Sequence, residues 1–183
     1  MFTVSRFSRL ILTLAGVATF ALGQARVAAE GPAWARVDGD ASLGMIGSTF
    51  AMRQAIRKAA ATGIGFAGLC NSCHFGAAGC YATLAADEGM IGIAMCNDTP
   101  TVTVPGALGP VLGSNPIAYA VPAGEQLVLL DIATSTVAGG KVFSAAALGK
   151  PIPEGWLVDE QGQPSPDPSS FPALATLTPM AAH

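Results

Sequence analysis

From Ser48 to Cys96 the chain switches between the helical and the strand pattern element by element, and that alternation restricts the fold more than any other feature. Phe50, Met52, Ala55, Ile56 and Ala59 recur at helical spacing, with Arg53, Arg57 and Lys58 on the outer face. This predicts a helix capped by Ser48 or Thr49, running to about Thr62 and ended by Gly63. Ile64 to Leu69 is a short apolar run that predicts a buried strand. Gly76 to Glu88 is Ala-rich and predicts a second helix with Gly89 at its end. Met90 to Cys96, MIGIAMC, predicts a second strand. Helix, strand, helix, strand in that order predicts an α/β layered fold.

The flanks carry weaker signals. Val37-Asp38-Gly39-Asp40 predicts a turn, and Asn97 to Pro116 is Pro/Gly-rich and irregular. Ile117 to Val121 and Leu127 to Asp131 predict two strands joined around Pro122-Ala123-Gly124, and Thr136 to Leu148 predicts a helix. PIPEGW and DEQGQPSPDP, after Lys150, predict an extended, turn-rich segment, and Phe171 to His183 shows no convincing element. The division expected is an N-terminal segment over 1–30, one domain over 31–170 and an irregular tail over 171–183.

Composition excludes several classes. A chain of 183 residues has room for a real core, and 51% hydrophobic against 11% charged residues places it far from disorder. A net charge of -3, no Lys/Arg run and 7% aromatic residues argue against nucleic acid as a partner. Arg6 and Arg9 precede the apolar run LILTLAGVATFALG, with small residues after it at Ala25 and Ala28-Ala29. The segment reads either as a secretory signal or as a helix packed on the core, and its apolar run is short for a membrane span.

Leu69 to Gly76, LCNSCHFG, contains C-x-x-C-H, the spacing by which c-type haem is attached. An exported haem protein using Cys70, Cys73 and His74 is therefore one alternative, disfavoured by the α/β pattern around it. Zinc lacks ligands, since only His74 and His183 stand beside four cysteines and no second pair has finger spacing. The four thiols are expected to be reduced and mostly buried. Gly63 to Gly68 is a literal G-x-G-x-x-G, yet it follows a helix and precedes a strand. The dinucleotide fingerprint needs the reverse order, so that the pyrophosphate meets a helix N-terminus. His74 is the only internal histidine, placed where a strand ends and a helix begins. It is the leading acid–base candidate, with a helix-capping or core role as the alternative. A cation is disfavoured at a helix N-terminus, which suits a neutral imidazole able to accept a proton.

Several stretches in one order carry a resemblance. They are VDGDASLG (Val37 to Gly44), NS-x-HFGAAG-x-Y (Asn71 to Tyr81), MIGIAMCND, LGSNPIAYAVPAG (Leu112 to Gly124), LDIATSTVAGGK (Leu130 to Lys141) and GKPIPEGWLVDEQGQPSPDP (Gly149 to Pro168). Over about residues 31 to 170 the chain resembles the malate/L-lactate dehydrogenase family, which includes sulfolactate and ureidoglycolate dehydrogenases. The resemblance implies an α/β fold that is not Rossmann, with a mixed sheet and packed helices, incomplete relative to the family. It implies NAD or NADP as cofactor, a small 2-hydroxy or 2-oxo acid as substrate, a homodimer and a cytoplasmic setting without membrane or nucleic acid. By the same resemblance His74 is the proton donor and acceptor, and Asp98, Asp131, Ile132 and Ala133 contact the cofactor. Arg9, in Ser8-Arg9-Leu10, and Asn115, in the SNP loop, fall near the substrate. Asp131 as a helix cap and Asn115 as a turn former stay open beside these roles. The family is nearly twice as long, so a truncated or inactive chain, or one half of a partner-dependent enzyme, is the alternative expectation.

Overall fold

A computed structural model describes residues 23–180. These fall into two compact units, one made of residues 23–93 with Tyr119–Leu129, the other of Ala94–Ala118 with residues 130–180.

The first unit opens with β1 (Arg26–Glu30) and β2 (Trp34–Asp38), which pair antiparallel. The small residues Ala28-Ala29, read as the exit of a signal-like segment, thus lie inside a paired strand. β2 continues through a turn into helix α1 (Gly44–Thr62), which leads to β3 (Phe66–Cys70). β3 returns parallel to β2, from Trp34 opposite Phe66 to Asp38 opposite Cys70. A parallel neighbour requires a crossover of this kind, and α1 supplies it while packing on β2, β3 and helix α2 (Gly79–Asp87). Ala35, Val37, Ala51, Ala78, Tyr81, Ala82, Ala85 and Ala86 are buried here, so the core is built largely from alanines that let backbones approach closely.

Four expectations for this unit need correction. The strand expected to be buried over Ile64 to Leu69 runs from Phe66 to Cys70 and is not buried: Ile64 is 71% and Phe66 66% exposed. α1 begins at Gly44, ahead of Ser48 and Thr49, and Leu43 precedes it with no side-chain cap. Gly44 and Gly47 are poor helix formers, but both are buried where the first turn lies against the loop after β3. α2 starts at Gly79 rather than Gly76. Lys58, assigned to the outer face, is buried: its Nζ donates to Glu30 Oε2 at 2.8 Å and to the Gly31 carbonyl at 2.6 Å. Gly63 ends α1 as expected, left-handed at φ 87°, with its N–H on the Ala59 carbonyl at 2.8 Å. The G-x-G-x-x-G run is thereby explained without a phosphate: Gly63 caps a helix, and Gly65 lets β3 pass against the Ala55 carbonyl where any Cβ would clash.

A second sheet has the order β4 (Gly92–Met95), β5 (Ile117–Ala123), β6 (Gln126–Ile132). β5 and β6 are joined through Gly124-Glu125, close to the expected hairpin turn. In β6, Val128 is 60% exposed and Leu127, Leu129 and Leu130 lie between 40% and 48%, so this apolar strand is uncovered on both faces.

The second unit has its core in Val102, Val137, Val142, Ile152, Leu157, Phe171, Ala175 and Leu177. Helix α3 (Gly139–Ala147) contributes Val142. The sheet β8-β7-β9 contributes Leu157 and Leu177, which face each other across the antiparallel pair β7 (Leu157–Asp159) and β9 (Ala175–Leu177). Each is fully buried, which contributes about 1.5–3 kcal/mol per side chain before entropy is set against it. β8 is Pro164–Ser165. β9 falls in the stretch that showed no convincing element: all three of its residues are buried, so it has no polar alternation to betray it. Among the described residues, no helix is long and apolar enough to cross a membrane.

Candidate active site

In the first unit the site candidate is the loop that follows β3. The chain bends at Asn71, which has a positive φ of 50°, a conformation asparagine tolerates better than most residues. Asn71 Nδ2 donates to Asp38 Oδ1 at 2.9 Å. Gly39 N donates to the Cys70 carbonyl at 2.8 Å and Ala41 N to the Asn71 carbonyl at 3.0 Å. The VDGDASLG segment is therefore the cradle of the NS-x-HFG loop, holding it strand-like past the end of β3. The start of α1 closes the cradle: a Cβ at Gly44 would lie 2.6 Å from the His74 carbonyl carbon, and nearer still to the Cys73 and His74 oxygens. Beyond His74, Phe75 stacks on Tyr81 with ring centroids 5.2 Å apart, and the Tyr81 hydroxyl donates to the Phe75 carbonyl. His74 is thus fixed by its backbone from both sides while its side chain is exposed to solvent. It lies five residues before the start of α2 at Gly79.

Charge in the cradle is set by Asp38. The Asp40 backbone amide and the Asn71 side chain, with a further contribution from Arg26, hold its carboxyl below the usual carboxylate range. It is an anion at neutral pH and a steady acceptor for Asn71. Burial, reinforced by Cys80, pushes the Tyr81 phenol up. The thiols correct another expectation: Cys70, Cys73 and Cys80 are free and exposed, and Cys96 is half-buried. Burial and then the Asp98 charge raise Cys96.

In the second unit Asp98 and Asn115 are brought together. Asp98 N donates to Asn115 Oδ1 at 2.9 Å, Ser114 Oγ donates to Asp98 Oδ2 at 2.7 Å, and Thr99 N donates to Oδ1 at 2.8 Å. Thr134 N and Oγ1 both donate to the Ser114 carbonyl, at 2.8 and 3.1 Å. This ties the SNP loop to the segment directly after Asp131-Ile132-Ala133, in which Asp131 is exposed and the other two are half-buried. Asn115 has a φ of 34°, so it shapes the loop as well as joining it to Asp98. α3 begins at Gly139 without a side-chain cap, so Asp131 does not cap it. Arg9 lies outside the described residues. Asp38, Gly44, Tyr81 and Thr134 emerge as parts of the site only here; in the sequence all four lie in stretches that carry the resemblance, and Asp38 also in the expected turn.

Residues 4–183 match the family model described as malate/L-lactate dehydrogenase. The chain is 48% identical over 137 residues to a malate dehydrogenase of Pyrococcus horikoshii, covering 75% of this chain and 38% of that protein. It is 40% identical over 144 residues to an L-sulfolactate dehydrogenase of Methanocaldococcus jannaschii, covering 79% and 42%. The crystal structure of malate dehydrogenase from Entamoeba histolytica superposes with a TM-score of 0.83 at 30% identity, covering 95% of this chain and 50% of that one. The chain thus spans about two fifths of the length of these curated relatives.

Proposed function

Because this chain belongs to the malate/L-lactate dehydrogenase family, we propose that it serves the interconversion of a small 2-hydroxy acid and its 2-oxo acid with NAD or NADP, as a cytoplasmic homodimer. The observation that carries this is His74: an exposed imidazole on a loop whose backbone is anchored at Asn71, Gly44 and Phe75. Asp98, Asp131, Ile132 and Ala133 are the proposed cofactor contacts, and Asn115 and Arg9 the proposed substrate contacts. The residues present suit a dinucleotide. Asp131 is exposed, and Asp98 is exposed with lone pairs left beyond its loop contacts, so both can accept hydrogen bonds from ribose hydroxyls. Ile132 and Ala133 offer half-buried apolar surface beside them. A fold that is not Rossmann agrees with glycines that serve a helix–strand turn.

A bound nicotinamide cofactor would supply hydride chemistry at the carbon that bears the substrate oxygen. The proton on that oxygen is the part this chain must manage. In the oxidative direction His74 accepts it from the hydroxyl, and in the reductive direction His74 returns it to the developing alkoxide. Anchoring the loop backbone fixes the position from which the imidazole extends, so less entropy is lost on reaching the reactive geometry.

The test is loss of NADH or NADPH absorbance with pyruvate, oxaloacetate and sulfopyruvate, in the wild type and in His74→Gln. Turnover that falls about 100-fold or more in the variant supports the acid–base role; turnover that is unchanged refutes it. A second reading, a chain that works only with a partner, is favoured by the uncovered Leu127 to Leu130 of β6. A discrete homodimer with turnover in size-exclusion fractions would refute that reading.

A further inference from the structure

The C-x-x-C spacing before His74 is absorbed neither by the fold nor by the dehydrogenase reading. Both thiols turn onto one short opposing segment. Cys70 Sγ donates to the Val37 carbonyl at 3.3 Å and Cys73 Sγ to the Ser42 carbonyl at 3.6 Å, on either side of the Asp38 to Ala41 turn. That turn is tight, with Ser42 N on the Gly39 carbonyl at 2.9 Å. An extended run would hold the two Cα atoms about 10 Å apart, beyond the ~7 Å limit for a disulfide. The left-handed bend at Asn71 interrupts that run, and both thiols donate onto carbonyls of the same cradle, so closure requires the Asn71-Ser72 backbone to move. Both residues are exposed and unpaired, so a small oxidant can reach them.

We propose that Cys70 and Cys73 form a redox-reactive dithiol that a low-molecular-weight disulfide closes into an intramolecular bond, and that closure releases the His74 loop from its cradle. In the first step the thiolate of one cysteine attacks a sulfur of oxidised glutathione. The glutathione S–S bond breaks, one glutathione thiolate leaves and takes up a proton, and a mixed disulfide remains. In the second step the other cysteine's thiolate attacks the cysteine sulfur of that mixed disulfide and expels the second glutathione. Two cysteine thiols are oxidised, the oxidant takes up two electrons, and the two thiol protons end on two glutathione thiols. Closure removes both S–H donors, so the Val37 and Ser42 carbonyls lose their sulfur partners and Cys73 is drawn toward Cys70. His74, next in the chain, moves with it, because the Cys73 and His74 carbonyls are what rest on Gly44. Only the consequence for turnover rests on the acid–base reading of His74; the thiol chemistry stands apart from it.

The test needs no turnover. The folded chain is incubated with oxidised glutathione, remaining thiols are alkylated, and the protein is cut beside Leu69 and Phe75, which isolates Cys70 and Cys73 in one hexapeptide free of Cys80 and Cys96. The expected peptide carries neither alkyl group nor glutathione, is lighter by two hydrogens, and regains both thiols with dithiothreitol. In Cys73→Ser the same peptide should stop with one glutathione on Cys70. A wild-type peptide that is doubly alkylated or doubly glutathionylated at every oxidant ratio overturns the dithiol. The second readout is the imidazole resonance of His74, assigned with His74→Gln. It should shift on oxidation of the wild type and stay fixed in the double variant Cys70→Ser/Cys73→Ser. A disulfide that forms with that resonance unmoved overturns the coupling to the loop.

Discussion

Replacing Gly44 by alanine is the sharpest probe of how the His74 loop is held. An alanine in a helix ordinarily stabilises by about 0.5–1 kcal/mol relative to glycine. At Gly44 the new methyl would sit 2.6 Å from the His74 carbonyl carbon, against ordinary contact beginning near 3.4 Å. The obstructing atoms are backbone and cannot rotate aside, so the loop and α1 must separate by roughly 1 Å, an overpacking that costs about 1–3 kcal/mol. The net expectation is a loss of up to about 2.5 kcal/mol, read as a lower urea midpoint with an unchanged slope. The His74 imidazole resonance should move as well. Where turnover is measurable, a displacement of about 1 Å should cost about 100-fold in kcat/KM. The control is Gly140→Ala, at the second position of α3 with nothing within 4 Å of the added carbon, which should hold or raise stability. The reasoning is refuted if Gly44→Ala is as stable as the wild type with its His74 resonance unmoved.

Two further substitutions test the surroundings. Lys58→Met removes the buried amine, and losing its bond to the Gly31 carbonyl should cost about 1.5–3 kcal/mol in chemical unfolding. Lys58 first, then Arg57, holds the Glu30 carboxyl below its ordinary value of 4.5. That contribution is present above pH 4.5 and is lost as pH falls through the lowered value, so the acid limb of stability should flatten in Lys58→Met. Tyr81→Phe keeps the ring stack but loses the bond to the Phe75 carbonyl, about 1 kcal/mol at neutral pH. Burial raises the Tyr81 phenol above 10.0, so its share of stability is complete below pH 10.0 and is lost as pH rises through the raised value. Thermal unfolding of Tyr81→Phe should therefore lack part of the alkaline decline seen in the wild type.

The order of elements was legible because hydrophobic period reports it directly, and β3 to β6 and the Gly63 cap lie close to their expected positions, although β3 is exposed at Phe66 rather than buried. Element starts were less legible where packing overrides propensity. α1 begins at Gly44 because only glycine fits against the His74 backbone, and α2 begins late because Phe75 and Gly76 are needed to reach Tyr81. Lys58 was misplaced because its long stem reaches back to Glu30 and Gly31, a contact made by the fold. His74 was legible as the lone internal histidine. Its support was not: Asp38 and Asn71 are 33 positions apart, and a turn aspartate next to a glycine gives no hint of what it will hold. Roles for Asp98, Asp131, Ile132, Ala133 and Asn115 came from the resemblance, while the pairing of Asp98 with Asn115 required three dimensions.

The two units are interleaved along the chain: the polypeptide leaves the first after Ile93, re-enters it at Tyr119 and leaves again after Leu129. Neither unit is therefore a continuous gene segment. A chain break anywhere between Ile93 and Leu130 therefore interrupts both units. The excursion from Ala94 to Ala118 is a closed loop on the first unit's chain path, and the Asp98–Asn115 and Ser114–Asp98 bonds at its base offset part of the entropy of closing it. Modular exchange of this region between related enzymes thus has few permissible seams: a graft that keeps both crossings together preserves the units, and one that splits them inherits half of each.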